Sequence, residues 1–131
     1  MYKKVYIVDD DEVSIFLTEA ILEAESFATE FKGFLDPKKA LYNLLENAKN
    51  SNTSALPEVI FLDLNMPFIS GWDFLEALAP YEHALKGRCR IYILTSSVDE
   101  HERQRAAASG LVAGFLQKPL QDGCLTQLKR N

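Results

Sequence analysis

The chain has 131 residues, 47% of them hydrophobic and 25% charged, the balance of one ordinary globular domain. No apolar run approaches the roughly 18 residues that cross a bilayer, and the start of the chain lacks the apolar core of a signal peptide, so the expectation is a cytoplasmic protein without membrane insertion. Nineteen acidic against fourteen basic residues give a net charge of -5 with no basic block, which argues against direct nucleic-acid binding.

Residues 4–8 form a short apolar, β-branched run that reads as a buried strand, and the acidic cluster Asp9-Asp10-Asp11-Glu12 ends it. Val13, Phe16, Leu17, Ala20, Ile21 and Ala24 then recur at the spacing of an amphipathic helix over about residues 12–25. Residues 27–34 alternate weakly and read as a strand near a sheet edge. Asp36-Pro37 supplies a cap and a first-turn proline for a helix with Ala40, Leu41, Leu44, Leu45 and Ala48 on one face. Residues 47–57, with Asn50, Ser51, Asn52 and Ser54, read as a long connection, an insertion rather than a domain linker.

Residues 59–63 make the strongest strand, apolar on both faces and therefore expected in the middle of a parallel sheet. A loop with Met66-Pro67 and Gly71 leads to a helix carrying Trp72, Phe74, Leu75 and Leu78, which Pro80 ends or kinks. Residues 90–95 are another buried strand. Ser97 and Glu100 fit a capping box opening a mostly polar helix to Ser109-Gly110, whose charged residues 99–105 read as its solvent side. Residues 111–117 give the fifth strand and 120–129 a short last helix. Five alternations of strand and helix predict an α/β fold, a parallel sheet covered by helices on both faces. Cys89 and Cys124 lack CxxC spacing and clustered histidine partners, which fits reduced thiols; His83 and His101 read as solvated.

Working groups in such a sheet lie beyond the carboxyl ends of the strands. Asp9 and Asp10 follow strand 1, Asp63 follows strand 3, Thr95 and Ser96 follow strand 4, and Lys118 follows strand 5, so all share one edge. Three crowded carboxylates repel one another unless a cation sits among them, and an all-oxygen donor set favours a hard ion such as Mg²⁺. Beside that ion, Lys118 and the Thr95 hydroxyl suit a phosphoryl group, with one carboxylate as nucleophile.

The arrangement resembles the receiver domain of two-component response regulators over nearly the whole chain. The likeness rests on Ile7-Val8-Asp9-Asp10, on Phe61-Leu62-Asp63-Leu64-Asn65-Met66-Pro67 with Gly71 beyond, on Leu94-Thr95-Ser96 and on Lys118-Pro119. It implies a flavodoxin-like doubly wound five-stranded sheet in the order 2-1-3-4-5. It further implies that Asp63 is phosphorylated by a phosphohistidine on a sensor histidine kinase or a histidine phosphotransfer protein. Asp10, Asp63 and the backbone carbonyl of Asn65 would ligate Mg²⁺, with Asp9 acting directly or through water. Lys118, Thr95 and Ser96 would bind the phosphoryl group, Thr95 would be the switch hydroxyl, and Phe115 occupies the aromatic switch position. The face made by the fourth helix, fifth strand and fifth helix would meet a downstream protein, with homodimer formation on phosphorylation as a further outcome.

Only 13 residues follow Lys118, so the expectation is a single receiver domain over 1–131 with no output domain. The competing readings are a phosphorylation-independent receiver-like scaffold and a metal-dependent aspartyl-phosphate phosphatase. The phosphatase chemistry looks for a second aspartate two residues after the nucleophile, where this chain has Asn65. A nucleotide-binding reading finds no G-x-x-x-x-G-K-[ST] loop.

Overall fold

A computed structural model describes residues 1–128. Five strands, β1 (Tyr2–Val8), β2 (Ala28–Phe34), β3 (Val59–Leu62), β4 (Arg90–Thr95) and β5 (Val112–Gln117), pair in parallel in the order β2-β1-β3-β4-β5. The helices are α1 (Glu12–Ala24), α2 (Pro37–Lys49), α3 (Gly71–Leu78), α4 (Glu100–Ala108) and α5 (Asp122–Leu128). This is the α/β fold expected from the alternation, in the flavodoxin-like doubly wound order that the resemblance implies. The last residue expected in the final helix, Lys129, lies outside the described residues.

Side chains alternate across the sheet, and the sequence supplies apolar residues to both faces. Val5, Ile7, Val59, Phe61, Tyr92 and Leu94 pack with Leu22, Phe27 and Leu125 on the side of α1 and α5. Tyr6, Val8, Ile60, Leu62, Ile91 and Ile93 pack with Leu44, Phe74, Leu78 and Ala106 on the side of α2, α3 and α4. All four β3 residues are buried, as its central position demands, whereas β2 pairs with β1 alone and carries charged residues on its exposed positions.

Helix starts follow local chemistry. Asp11 caps α1 by accepting from Val13 N at 3.0 Å, and Asp36 caps α2 by accepting from Lys38 N at 3.0 Å. Ser70 and Asp73 form a reciprocal capping box on α3. Pro80 follows the end of α3, where the chain tightens into a 3-10 turn, Ala79–Tyr81, and a helical turn, Glu82–Leu85. Residues 47–57 hold the last turn of α2 and a 3-10 turn, Thr53–Ala55, pinned by buried Leu56 and by Lys4 Nζ donating to the Ala55 carbonyl at 3.1 Å.

One expectation is corrected. The box expected from Ser97 and Glu100 does not form: Asp99 caps α4, accepting from His101 N at 2.9 Å, and the Ser97 hydroxyl donates to Glu102 instead. On α1 the first half of the apolar stripe faces outward, while Ile21 packs against the core. Val13, Phe16 and Leu17 are 57–70% exposed, while Thr18 and Leu22 are the buried residues of that helix. No helix among the described residues is long and apolar enough to cross a membrane.

Candidate functional site

The sheet ladder itself assembles the site. Val8 lies in register with Leu62, and Leu62 with Ile93, so β1, β3 and β4 end together. Backbone bonds run one step past the strands: Asp9 N donates to the Phe34 carbonyl at 3.1 Å, Asp63 N to the Val8 carbonyl at 3.0 Å and Lys118 N to the Thr95 carbonyl at 2.8 Å. Asp9, Asp63, Thr95 and Lys118 therefore leave the sheet with their backbones already fixed. The Lys118-Pro119 peptide is cis.

Asp9 and Asp63 are buried and Asp10 is exposed, and carboxylate oxygens of the three lie within 4.8 Å of one another. Lys118 Nζ is 2.6 Å from Asp9 Oδ2 and 3.6 Å from Asp63 Oδ2. Asp9 also accepts from the Ser14 hydroxyl at 2.6 Å and from Asp11 N at 3.0 Å. Asp63 Oδ1 accepts from Leu64 N at 2.9 Å. Burial pushes the Asp63 carboxyl up to about 6, the neighbouring Asp9 charge adds to the rise, and Lys118 with the Leu64 and Asn65 backbone N–H groups opposes it.

Three carboxylates against one ammonium leave two uncompensated negative charges in a largely buried corner. The donors are all oxygen, and Asp10 is open to solvent, so the set fits a hard divalent cation with part of its water shell retained. Asp9, Asp10 and Asp63 are the residues able to hold it.

Gly71 shapes the floor. Its N–H donates to the Leu64 carbonyl at 2.9 Å, and a Cβ there would sit 2.5 Å from the Asp63 carbonyl oxygen and 2.9 Å from Leu64 Cα. Only glycine lets the start of α3 lie this close to the acidic loop.

Thr95 is fully buried, and its Oγ1 accepts from Ser97 N at 3.2 Å. Ser96 and Asn65 are exposed at the rim. Phe115 is half-buried on β5 with the Arg103 guanidinium 4.9 Å from its ring centre. The residues expected at one edge are thus gathered there, with Phe115 set further down β5. Sequence reasoning missed Ser14 as a partner of Asp9; the turn from β1 into α1 brings that hydroxyl, five residues on, back onto the carboxylate.

An acidic, lysine-bearing cluster at the carboxyl edge of a doubly wound sheet defines a class, the α/β proteins whose working groups gather beyond the strand ends. The comparisons narrow that class. The family model for the response regulator receiver domain matches residues 5–129, and the chain belongs to that family of two-component signalling domains. A two-component response regulator from Cytophaga hutchinsonii superposes with a TM-score of 0.86 at 27% identity, over 97% of this chain and 93% of that one. A receiver protein from Dyadobacter fermentans gives 0.80 at 27% identity, over 96% and 94%. The chemotaxis protein CheY4 of Vibrio cholerae gives 0.72 at 25%, over 98% and 96%. Among curated proteins, hybrid signal transduction histidine kinase C of Dictyostelium discoideum is 28% identical over 97% of this chain, which spans about 10% of that protein's length.

Proposed function

We propose that Asp63 is the phosphoryl acceptor of a phosphorelay switch, taking the group from a phosphohistidine on a sensor histidine kinase or a histidine phosphotransfer protein. The observation that carries this reading is one buried carboxylate set 3.6 Å from a lysine and beside two further carboxylates at the mouth of the sheet. An Asp63 carboxylate oxygen forms the new bond to phosphorus while the P–N bond breaks, and the donor's ring nitrogen leaves with the electron pair. Bound Mg²⁺, held by Asp10, Asp63 and the Asn65 carbonyl with Asp9 beside it, would supply charge neutralisation for phosphoryl oxygens. Lys118 holds the phosphoryl group by its ammonium, and Thr95 with Ser96 donates hydrogen bonds to it.

The new charge draws the Thr95 hydroxyl and biases the β4–α4 loop, with Phe115 as the aromatic companion of that change. The chain is then a signalling acceptor, with self-catalysed phosphotransfer and dephosphorylation its only chemistry. On the donor side, the outward apolar face of α1 at Val13, Phe16 and Leu17 continues into a groove of about 260 Å³ that includes Lys118, Pro119 and Leu120. Such a face beside the site suits an apolar surface on a phosphodonor. The α4, β5 and α5 face would carry the signal to a downstream protein in the cytoplasm, or to a second copy.

The test is intact-mass spectrometry after incubation with acetyl phosphate, with and without Mg²⁺, beside Asp63→Asn. One phosphoryl adduct requiring both Mg²⁺ and Asp63 is expected. No adduct on folded protein overturns the acceptor assignment in favour of a phosphorylation-independent scaffold.

A further inference from the structure

Helix α4 is weakly held by apolar packing: Ala106 is its one buried residue, and the rest are polar side chains and the exposed Ala107 and Ala108. Its amino-terminal half meets β5 through Arg103, over the Phe115 ring, and its hydrogen bonds to α3 and the β4–α4 loop run through one carboxylate. Glu102 accepts from the Ser97 hydroxyl through Oε1 and from the Trp72 indole N–H through Oε2 at 3.3 Å, joining α4 at once to the β4–α4 loop and to α3. Arg105 lies over the same indole, 4.3 Å from the ring centre. Ser97 in turn donates its backbone N–H to Thr95 Oγ1 at 3.2 Å. Among the described residues Thr95 makes no side-chain hydrogen bond to Asp63 or Lys118. A continuous chain of contacts therefore runs from the buried Thr95 hydroxyl through Ser97 and Glu102 to Trp72.

We propose that Glu102 is a positioning residue for the acceptor site, a latch that holds Ser97, and through it the Thr95 hydroxyl, in the resting arrangement. The inference rests on the phosphoacceptor reading of Asp63. A Thr95 hydroxyl moving to a phosphoryl oxygen on Asp63 withdraws the acceptor from Ser97 N, and a loop shift that follows Thr95 pulls the Ser97 hydroxyl off Glu102. An element with little buried apolar surface opens readily once its polar ties are cut. Coupling of this kind is reciprocal: cutting the latch must favour the phosphoryl-bound state by the same factor by which that state favours release. Trp72 reports the event because it is the chain's one tryptophan and its N–H is a partner in the latch.

The experiment titrates beryllofluoride, a non-covalent phosphoryl mimic, into the full chain with Mg²⁺, following bound fluoride by ¹⁹F NMR and Trp72 by emission wavelength and acrylamide quenching. In the wild type Trp72 should become more quenchable in step with binding, a result that needs no substitution. Glu102→Gln, which leaves one acceptor for two donors, and Glu102→Ala should show the released Trp72 signal before any addition and bind about fivefold tighter or more. In a Thr95→Ala background the Glu102 effect should fall below about twofold, which a merely structural role of Glu102 would not produce. An unchanged Trp72 at saturation, unchanged affinity in both Glu102 variants, or tightening undiminished without Thr95 overturns the latch while leaving the acceptor standing. A wild type that neither binds beryllofluoride nor takes a phosphoryl adduct overturns the acceptor assignment, and the latch with it.

Discussion

Asp63 carries the tension of the site in one side chain. Its carboxyl, ordinarily near 3.8, is raised to about 6, first by burial and then by Asp9. A folded state that binds a proton more tightly than the unfolded chain is favoured at low pH. This contribution is full below about 3.8 and is lost as pH rises through about 6, so at pH 7 the ionised Asp63 works against folding. Asp63→Asn should raise the unfolding free energy at pH 7 in the presence of chelator by on the order of 2 kcal/mol, the rise from 3.8 to about 6, which already includes the attraction to Lys118, being discounted for solvent screening. Urea titrations should show that advantage shrink as pH falls through about 6 and nearly vanish near pH 4; an asparagine variant less stable than wild type at pH 7 would contradict the account. The two thiols give a second residue-scale outcome. Burial pushes Cys89 up to about 12, whereas Cys124 is exposed. A thiol reagent should therefore modify one cysteine in the native protein and both in urea, with Cys124 the fast one.

At the scale of elements, the start of α3 is pressed against the acidic loop, and Gly71 permits it. Gly71→Ala places a methyl against the Asp63 carbonyl and Leu64 Cα, backbone atoms that cannot turn aside. The expected cost is about 1–3 kcal/mol of stability. Phosphate acceptance should also slow, because the displaced backbone belongs to Asp63; denaturant unfolding and the rate of adduct formation check the two effects separately. The strands other than β2, which alternates, were legible because each holds a short apolar run closed by polar residues, and in a parallel sheet that closure gathers Asp9, Asp63, Thr95 and Lys118 on one edge. Helix α1 was legible as a helix but not in its orientation. Periodicity marks an apolar face without saying what covers it, and here Val13, Phe16 and Leu17 point to solvent while Thr18 and Leu22 enter the core. The Ser97 and Glu100 spacing matched a capping box, yet the loop commits the Ser97 hydroxyl to Glu102 and leaves the cap to Asp99. A contact such as Trp72 to Glu102 joins residues on different elements, which no local pattern records.

Across the whole molecule the excess of acidic residues has a local centre, since two of its five net negative charges can be assigned to Asp9, Asp10 and Asp63 against Lys118. The unfolded chain separates Asp63 from the amino-terminal pair and offers no comparable site, so a divalent cation held by the three carboxylates binds the native state selectively. Stability then rises with cation concentration by mass action, by about 2.7 kcal/mol at one hundred times the dissociation constant. For a chain of this size that corresponds to an increase in Tm on the order of 10 °C. Sodium chloride at matched ionic strength screens the same charges but cannot occupy the site, and should give only a small part of the shift. Asp10 is the exposed member of the cluster, so Asp10→Ala should alter Tm little in chelator while removing most of the Mg²⁺ response. Thermal unfolding across a Mg²⁺ series decides the matter: a response equal in wild type and Asp10→Ala would mean that the ion acts through the general field of an acidic protein and not through these three carboxylates.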